Sequence, residues 1–133
     1  MTALKGGWRL LAALFALSAA GVLAVCVSRR FTRFEVSGAS MEPAFRDGDW
    51  LIVDRGAFRE RGPRVGEVVV VRDPALAGRR LVKRIFGVED DGRIDVRGDN
   101  VAESRDSRAF GLVAAAEVEG LVRWRYWRSR REG

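Results

Sequence analysis

The chain has 133 residues, 47% of them hydrophobic and 32% charged, with a formal net charge of +6 at pH 7. That leaves room for one small domain of roughly 100 residues behind an N-terminal segment, and it is too apolar for a disordered basic tail. With no histidine and a single cysteine (Cys26), it excludes Ser-His-Asp and Cys-His catalysis, an intrachain disulfide and a cysteine zinc site, and the usual phosphate-cradling glycine loops are missing.

The first element is an apolar run, LLAALFALSAAGVLAVCV, eighteen residues from Leu10 to Val27 without a charge. As a helix it reaches roughly 27 Å, about one hydrocarbon core. Lys5 and Arg9 precede it; Arg29, Arg30 and Arg33 follow. A cleavable signal peptide is the rival, since Ser18-Ala19-Ala20 loosely fits a small-residue cleavage site, but the apolar stretch running on through VLAVCV favours an uncleaved anchor. Positive charges at both ends leave its orientation open. The chain divides accordingly into an anchor with short flanks over 1–30, a β-rich domain over 31–127 and a basic tail over 128–133.

Beyond the anchor, short apolar runs alternate with turn signals at strand spacing. Phe34 to Val36 is a brief extended piece entering the loop VSGASMEPAFRDGDW, and Trp50 to Val53 is the next strand. Arg55 to Arg64 reads as a polar loop. Four consecutive valines within Glu67 to Arg72 predict a strand buried on both faces. Leu81 to Val88 follows, and EDDG turns it into Arg93 to Arg97. Ala114 to Glu117 holds a helical turn; Val118 to Trp127 is the last strand, with Val118, Val122, Trp124 and Tyr126 sharing one face by alternation. The whole is mainly β, a small partly open β-barrel or sheet behind one N-terminal transmembrane helix. The ending WRSRREG reads as a frayed tail.

The basic excess points to nucleic acid or to anionic lipid. Arg123, Arg125, Arg128, Arg130 and Arg131 interleave with Trp124, Tyr126 and Trp127, a pattern able to stack bases, although a solvated strand face with a polar tail accounts for the same residues. Of the 24 cationic side chains 22 are arginine, and the two lysines are Lys5 and Lys83. Arginine does not give up its proton in a protein, whereas a buried lysine does. In LVKRIF, Leu81, Lys83 and Ile85 share one face and Val82, Arg84 and Phe86 the other, so each face sets a cation among apolar neighbours. Lys83 is therefore a snorkelling surface residue or an amine made basic-but-neutral by burial, suited to general-base work. Ser40 is equally open between a turn hydroxyl and a nucleophile.

Three stretches in order, SGASMEP followed by GD, then LVKRIFG, then GDNVAESRDSRAFG, resemble the type I signal peptidases, membrane-anchored serine peptidases with a Ser-Lys dyad. The resemblance spans Val36 to about Gly111. It implies Ser40 as nucleophile, Lys83 as general base and Ser104 as the serine whose hydroxyl orients the lysine amine. Asp106 and Arg108 match a supporting pair, and Asp99 and Asn100 shape the turn carrying that segment; a metal-binding reading of Asp99 and Asp106 is the minor alternative, and the resemblance implies no metal or cofactor. Serine needs an adjacent base, and its tetrahedral intermediate needs an oxyanion donor. The backbone N–H of Ser40 is the family's candidate donor. Where some members place a serine two positions before the nucleophile, this chain has Gly38, which lacks a side-chain donor but admits a positive φ. Met41 and Pro43 shape the loop.

The family's activity is removal of N-terminal leader peptides after small residues. The implied partners are precursor polypeptides and the lipid bilayer, with no nucleic acid. The implied place is the bacterial cytoplasmic membrane, single-pass, with the catalytic domain extracytoplasmic. Many bacterial members insert a second β-domain after the lysine; here 14 residues separate Lys83 from Gly98, a minimal core. Lysine at 83 sets the chain apart from the endoplasmic-reticulum branch, which has histidine there. The ending FGLV…VEGLVRWRYW is similar to the maturation peptidases linked to nickel-type superoxide dismutase, a reading that leaves a cytoplasmic orientation open. A self-cleaving Ser-Lys regulator has a related core but ordinarily carries a DNA-binding domain, for which this length leaves no room.

Overall fold

The computed structural model describes residues 4–130, with side chains from Gly6 onward. The side chain of Lys5 and the tail residues Arg131 to Gly133 lie outside the described residues. The chain divides into two compact units, Met1–Arg30 and Phe31–Gly133.

The first unit is one helix, α1 (Leu4–Arg30), which extends the apolar run at both ends and passes without a break through Ser18-Ala19-Ala20. Its 27 residues reach about 40 Å. Gly6–Arg30 is long and apolar enough to cross a membrane. Arg29 and Arg30 in its last turn sit where cations favour the helix dipole.

The second unit is one antiparallel sheet of six strands: β1 (Phe31–Glu35), β2 (Trp50–Asp54), β3 (Val68–Arg72), β4 (Arg80–Val88), β5 (Ile94–Arg97) and β6 (Val118–Trp127). Their order is β1-β2-β6-β3-β4-β5, so the last strand lies in the middle and the sheet stays open between β1 and β5. A short helix α2 (Ser107–Phe110) and two 3-10 turns, Val101–Glu103 and Ala115–Glu117, connect β5 to β6. The architecture agrees with the mainly-β expectation. β1 starts at Phe31 rather than Phe34, because all five of its residues pair with Trp50–Asp54 whatever their polarity.

Apolar clusters cover both sides of the sheet. Val36, Met41, Leu51, Val53, Val68, Val70 and Val82 make one; Val69, Val71, Ile85, Ile94, Val96 and Val113 make the other. Alternate valines of β3 feed each, which is why that strand is apolar throughout and buried on both faces. Alternation on β6 is less regular than expected. Register shifts against β2 between Trp50/Leu51 and Ile52/Val53, and against β3 between Val70/Val71, insert bulges along it; Gly120 and Leu121 are buried in succession while Trp124 and Tyr126 stay exposed.

The tail does not fray at Arg128. The Ser129 N–H donates to Asp49 Oδ1 at 2.8 Å, and Asp49 Oδ2 accepts from the Arg46 N–H (2.9 Å) and from Arg125 Nη1 (3.1 Å). Asp49 is 0% exposed. Burial alone would raise its pKa, but these donors outweigh it and hold the carboxyl below its usual range. Asp49→Ala is expected to destabilise this unit by about 3 kcal/mol, measured by urea unfolding of the full chain in micelles, because Arg125 and two N–H groups lose their acceptor.

Candidate active site

Ser40 stands in a closed loop between β1 and β2. The Val36 N–H donates to the Asp49 carbonyl and the Gly48 N–H to the Val36 carbonyl, each at 2.8 Å, so the loop's ends are stapled together. Gly38 has φ +86°, a conformation an L side chain strains to adopt, and its N–H donates to Asp47 Oδ1 at 2.7 Å. Met41, 1% exposed, drives the next position into the core beside Val36, and the Phe45 N–H donates back to the Met41 carbonyl at 2.9 Å. The Glu42–Pro43 peptide is cis. Ser40 is thus held between a core anchor and a hydrogen-bonded turn.

From the other side, Asn100 grips the same loop. Its N–H donates to the Ser40 carbonyl (2.9 Å) and its Nδ2 to the Ala39 carbonyl (3.1 Å). Asp99 accepts a two-pronged bond from Arg84, at 2.9 and 2.8 Å, and Arg84 Nη1 also donates to the Gly66 carbonyl. Asp99 and Asn100 therefore do more than shape a turn: they tie β5's exit to β4 and to the Ser40 loop. Gly98, which opens the GDN stretch, has a steric role that the motif alone does not specify. A Cβ there would lie 2.5 Å from the Ser40 carbonyl oxygen and 2.6 Å from Ser104 Cβ. The GDN stretch gives this glycine its place, and the close approach of the Ser40 carbonyl and the Ser104 side chain gives its physical reason. Gly98→Ala is expected to push Ser40 and Ser104 apart and lower turnover about 100-fold while the sheet still forms, checked by activity beside circular dichroism.

Lys83 comes from β4 opposite Val69 and is 2% exposed. Its amine reaches Ser104 Oγ at 3.0 Å. Ser104 Oγ lies 2.6 Å from Asp106 Oδ2, and the Gly98 N–H points at both oxygens, 3.1 and 3.0 Å away. An ionised carboxylate only accepts, so the Ser104 hydrogen goes to Asp106 and the lysine amine must donate to Ser104. Arg108 closes the chain on Asp106 with Nε at 2.9 Å, Nη2 at 2.7 Å and its own N–H at 3.2 Å. Burial would raise the Asp106 pKa, but hydrogen bonds from Arg108, Ser104 and Gly98 overcome it and keep the carboxyl well below the usual range. For Lys83 burial dominates and pushes the amine down. Arg79, Arg108 and Arg105 push the same way, and Asp106 opposes them.

Ser40 and Lys83 line one cavity of about 260 Å³, with Val36, Ala39, Met41, Leu81 and Val82 in its apolar wall. Among the described residues no hydrogen bond joins the Ser40 hydroxyl to the Lys83 amine, and the Ser40 N–H has no protein acceptor. Both carboxylates that the metal reading would use, Asp99 and Asp106, are paired with arginines.

An open antiparallel sheet that follows an apolar helix in the chain, with a buried lysine amine held by a Ser-Asp-Arg chain in a cavity that a second serine also lines, defines a class of histidine-free serine–lysine proteins. Comparison with known sequences agrees: the model of the family described as Signal peptidase, peptidase S26 matches residues 8–92 and 90–127, and the chain belongs to that family. It is similar to the mitochondrial ATP-independent inner membrane protease subunit 1b of Arabidopsis thaliana, 33% identical over 112 residues, covering 68% of this chain and 66% of that protein. Mitochondrial inner membrane protease subunit 1 of Xenopus tropicalis is 29% identical over 110 residues, with the same coverages of 68% and 66%. Signal peptidase IB of Staphylococcus aureus is 25% identical over 150 residues, covering 72% of this chain and 78% of that protein. The chain thus spans a little under two thirds of the length of the two mitochondrial relatives.

Proposed function

We propose that this protein is a membrane-anchored serine endopeptidase that removes N-terminal leader peptides after small residues, with Ser40 as nucleophile and Lys83 as general base. The observation that carries the reading is the buried Lys83 amine, held by Ser104 in the cavity that Ser40 also lines. The amine spends one hydrogen on Ser104, so in its neutral form its lone pair is free to face the cavity.

In this mechanism Lys83 takes the Ser40 proton as the oxygen attacks the scissile carbonyl. The backbone N–H of Ser40 donates to the oxyanion that forms. The resulting ammonium gives its proton to the leaving amine, releasing the C-terminal product and leaving an ester on Ser40. Lys83 then deprotonates a water that attacks the ester, and returns the proton to Ser40 as the leader is released. Catalytic hydrogen bonds are often absent or long before substrate binds, and in this reading the Ser40–Lys83 hydrogen bond forms as the carbonyl arrives.

The apolar helix supports a bilayer as partner, and an extracytoplasmic catalytic unit on a bacterial cytoplasmic membrane fits emerging precursors. A narrower substrate, the precursor of a nickel-type superoxide dismutase, rests on the resemblance of the FGLV and VEGLVRWRYW stretches. The nucleic-acid or lipid-binding alternative loses two of its arginines: Arg123 pairs with buried Asp54 at 2.9 Å and Arg125 with buried Asp49 at 3.1 Å. The test is to incubate the purified full chain with candidate precursors, that one included, and sequence the new N-termini. Cleavage that persists unchanged in Ser40→Ala would sink the proposal.

A further inference from the structure

The mouth of the Ser40 cavity carries four charged side chains: Arg79, Arg80, Glu103 and Arg105. Two are answered within the protein. Arg105 pairs with the buried carboxylate of Asp73 at 2.8 Å, and Arg80 stands 3.5 Å from Glu119 with its guanidinium over the Phe34 ring. Arg79 differs. Its backbone closes the turn between β3 and β4, the Asp73 N–H donating to its carbonyl at 2.9 Å and its own N–H to the Leu76 carbonyl at 3.1 Å. Its guanidinium, however, has neither ion pair nor hydrogen bond among the described residues.

An unpaired surface arginine is ordinarily a solvated charge and needs no explanation. This one stands at the rim of the concavity a polypeptide must enter for its carbonyl to reach Ser40, just ahead of the strand that delivers Lys83. Apolar side chains in the cavity wall lower the effective dielectric at its edge, which strengthens a charge–charge contact there relative to bulk solvent. Glu103 is the other mouth charge without an ion pair among the described residues, and it lies on the 3-10 turn after β5 rather than on the β3–β4 side.

We propose that Arg79 is a specificity-determining residue: it receives the carboxylate of an Asp or Glu side chain close to the scissile bond, so that preferred substrates carry an acidic residue beside the cut. The idea rests on the peptidase reading for where the substrate lies, while the charge preference itself is a property of binding. Glu103 repels the same carboxylate from across the mouth and moderates the preference.

The test uses the full chain carrying Ser40→Ala in nonionic micelles, so that bound peptide persists. A fluorescent alanine-rich decapeptide with Asp or Lys scanned through its central positions is titrated by anisotropy. At one position Asp is expected to bind about fivefold tighter than Lys, the scale of a partly exposed ion pair, and the ratio shrinks as salt is raised. Added Arg79→Gln brings the ratio to near one, Arg79→Glu inverts it, and Glu103→Gln enlarges it. No position that separates Asp from Lys, or a ratio untouched by Arg79→Gln, overturns the assignment. The same peptides offered to the unmutated chain separate the two readings. Charge-selective binding without cleavage upholds Arg79 and counts against the peptidase; cleavage without charge preference does the reverse.

Discussion

Lys83→Met and Ser40→Ala are each expected to lower precursor cleavage by about 10⁴-fold or more, since base and nucleophile act as a unit and removing either stops the same step. Lys83→Arg should fall as far, because a guanidinium cannot accept the serine proton. What sets Lys83→Met apart from a merely structural lesion is its stability. The folded-state pKa of Lys83 lies below the ordinary 10.5, first because burial penalises the ammonium. The unfolded chain therefore binds more protons here, and the penalty is full below the folded-state pKa, fades as pH rises toward 10.5 and is gone above it. Lys83→Met should accordingly be more stable than its parent at neutral pH, by about 1 kcal/mol, with the gain vanishing in alkali. Urea midpoints across pH read this without any substrate. A variant less stable at pH 7 would mean that the amine is charged and paired in the native state, which removes the base.

The legible part of this fold was local. Four valines in a row read as a strand buried on both faces rather than an amphipathic helix, and the structure divides them between two clusters. The charge-free run from Leu10 to Val27 was a helix on composition alone. Sheet order was not legible, because inserting β6 between β2 and β3 depends on pairing between segments about 70 residues apart, as Asp54 with Leu121. The same holds for the tail, whose Ser129 is tied down by an aspartate that sequence places in a distant turn. In the site, the residue types were readable and the directions were not. Ser104 and Lys83 were paired by resemblance, but that the serine's hydrogen points to Asp106, leaving the amine as donor, follows only from the 2.6 Å contact. Gly98 was legible only as the first residue of the GDN stretch, and Arg79 carried no sequence signal: one matters because the Ser40 carbonyl and the Ser104 side chain crowd it, the other because its guanidinium stands unpaired among the described residues at the cavity.

Asp106→Asn should be the costliest substitution in the supporting chain, and its pH signature tells positioning from simple scaffolding. The carboxylate is 1% exposed and accepts from Gly98, Ser104 and, three times, Arg108. Removing its charge leaves Arg108 without its partner, at a cost of about 3 kcal/mol, the lower end for a broken buried pair because Arg108 is itself partly solvated. The folded-state pKa of Asp106 is depressed, so this stability is complete above the ordinary carboxyl range and is lost as pH falls toward the lowered value; parent and variant should converge in acid. Turnover should drop about 100-fold, since an amide no longer forces the Ser104 hydrogen away from the amine. The acid limb of the rate profile should nonetheless move to lower pH. Around Lys83, Asp106 is the neighbour favouring the ammonium, while Arg79, Arg108 and Arg105 oppose it. Deleting the anion leaves the cations in charge, and the amine loses its proton more readily. A limb that stays put, or moves toward alkali, would show that Asp106 supports the fold without setting the state of the base.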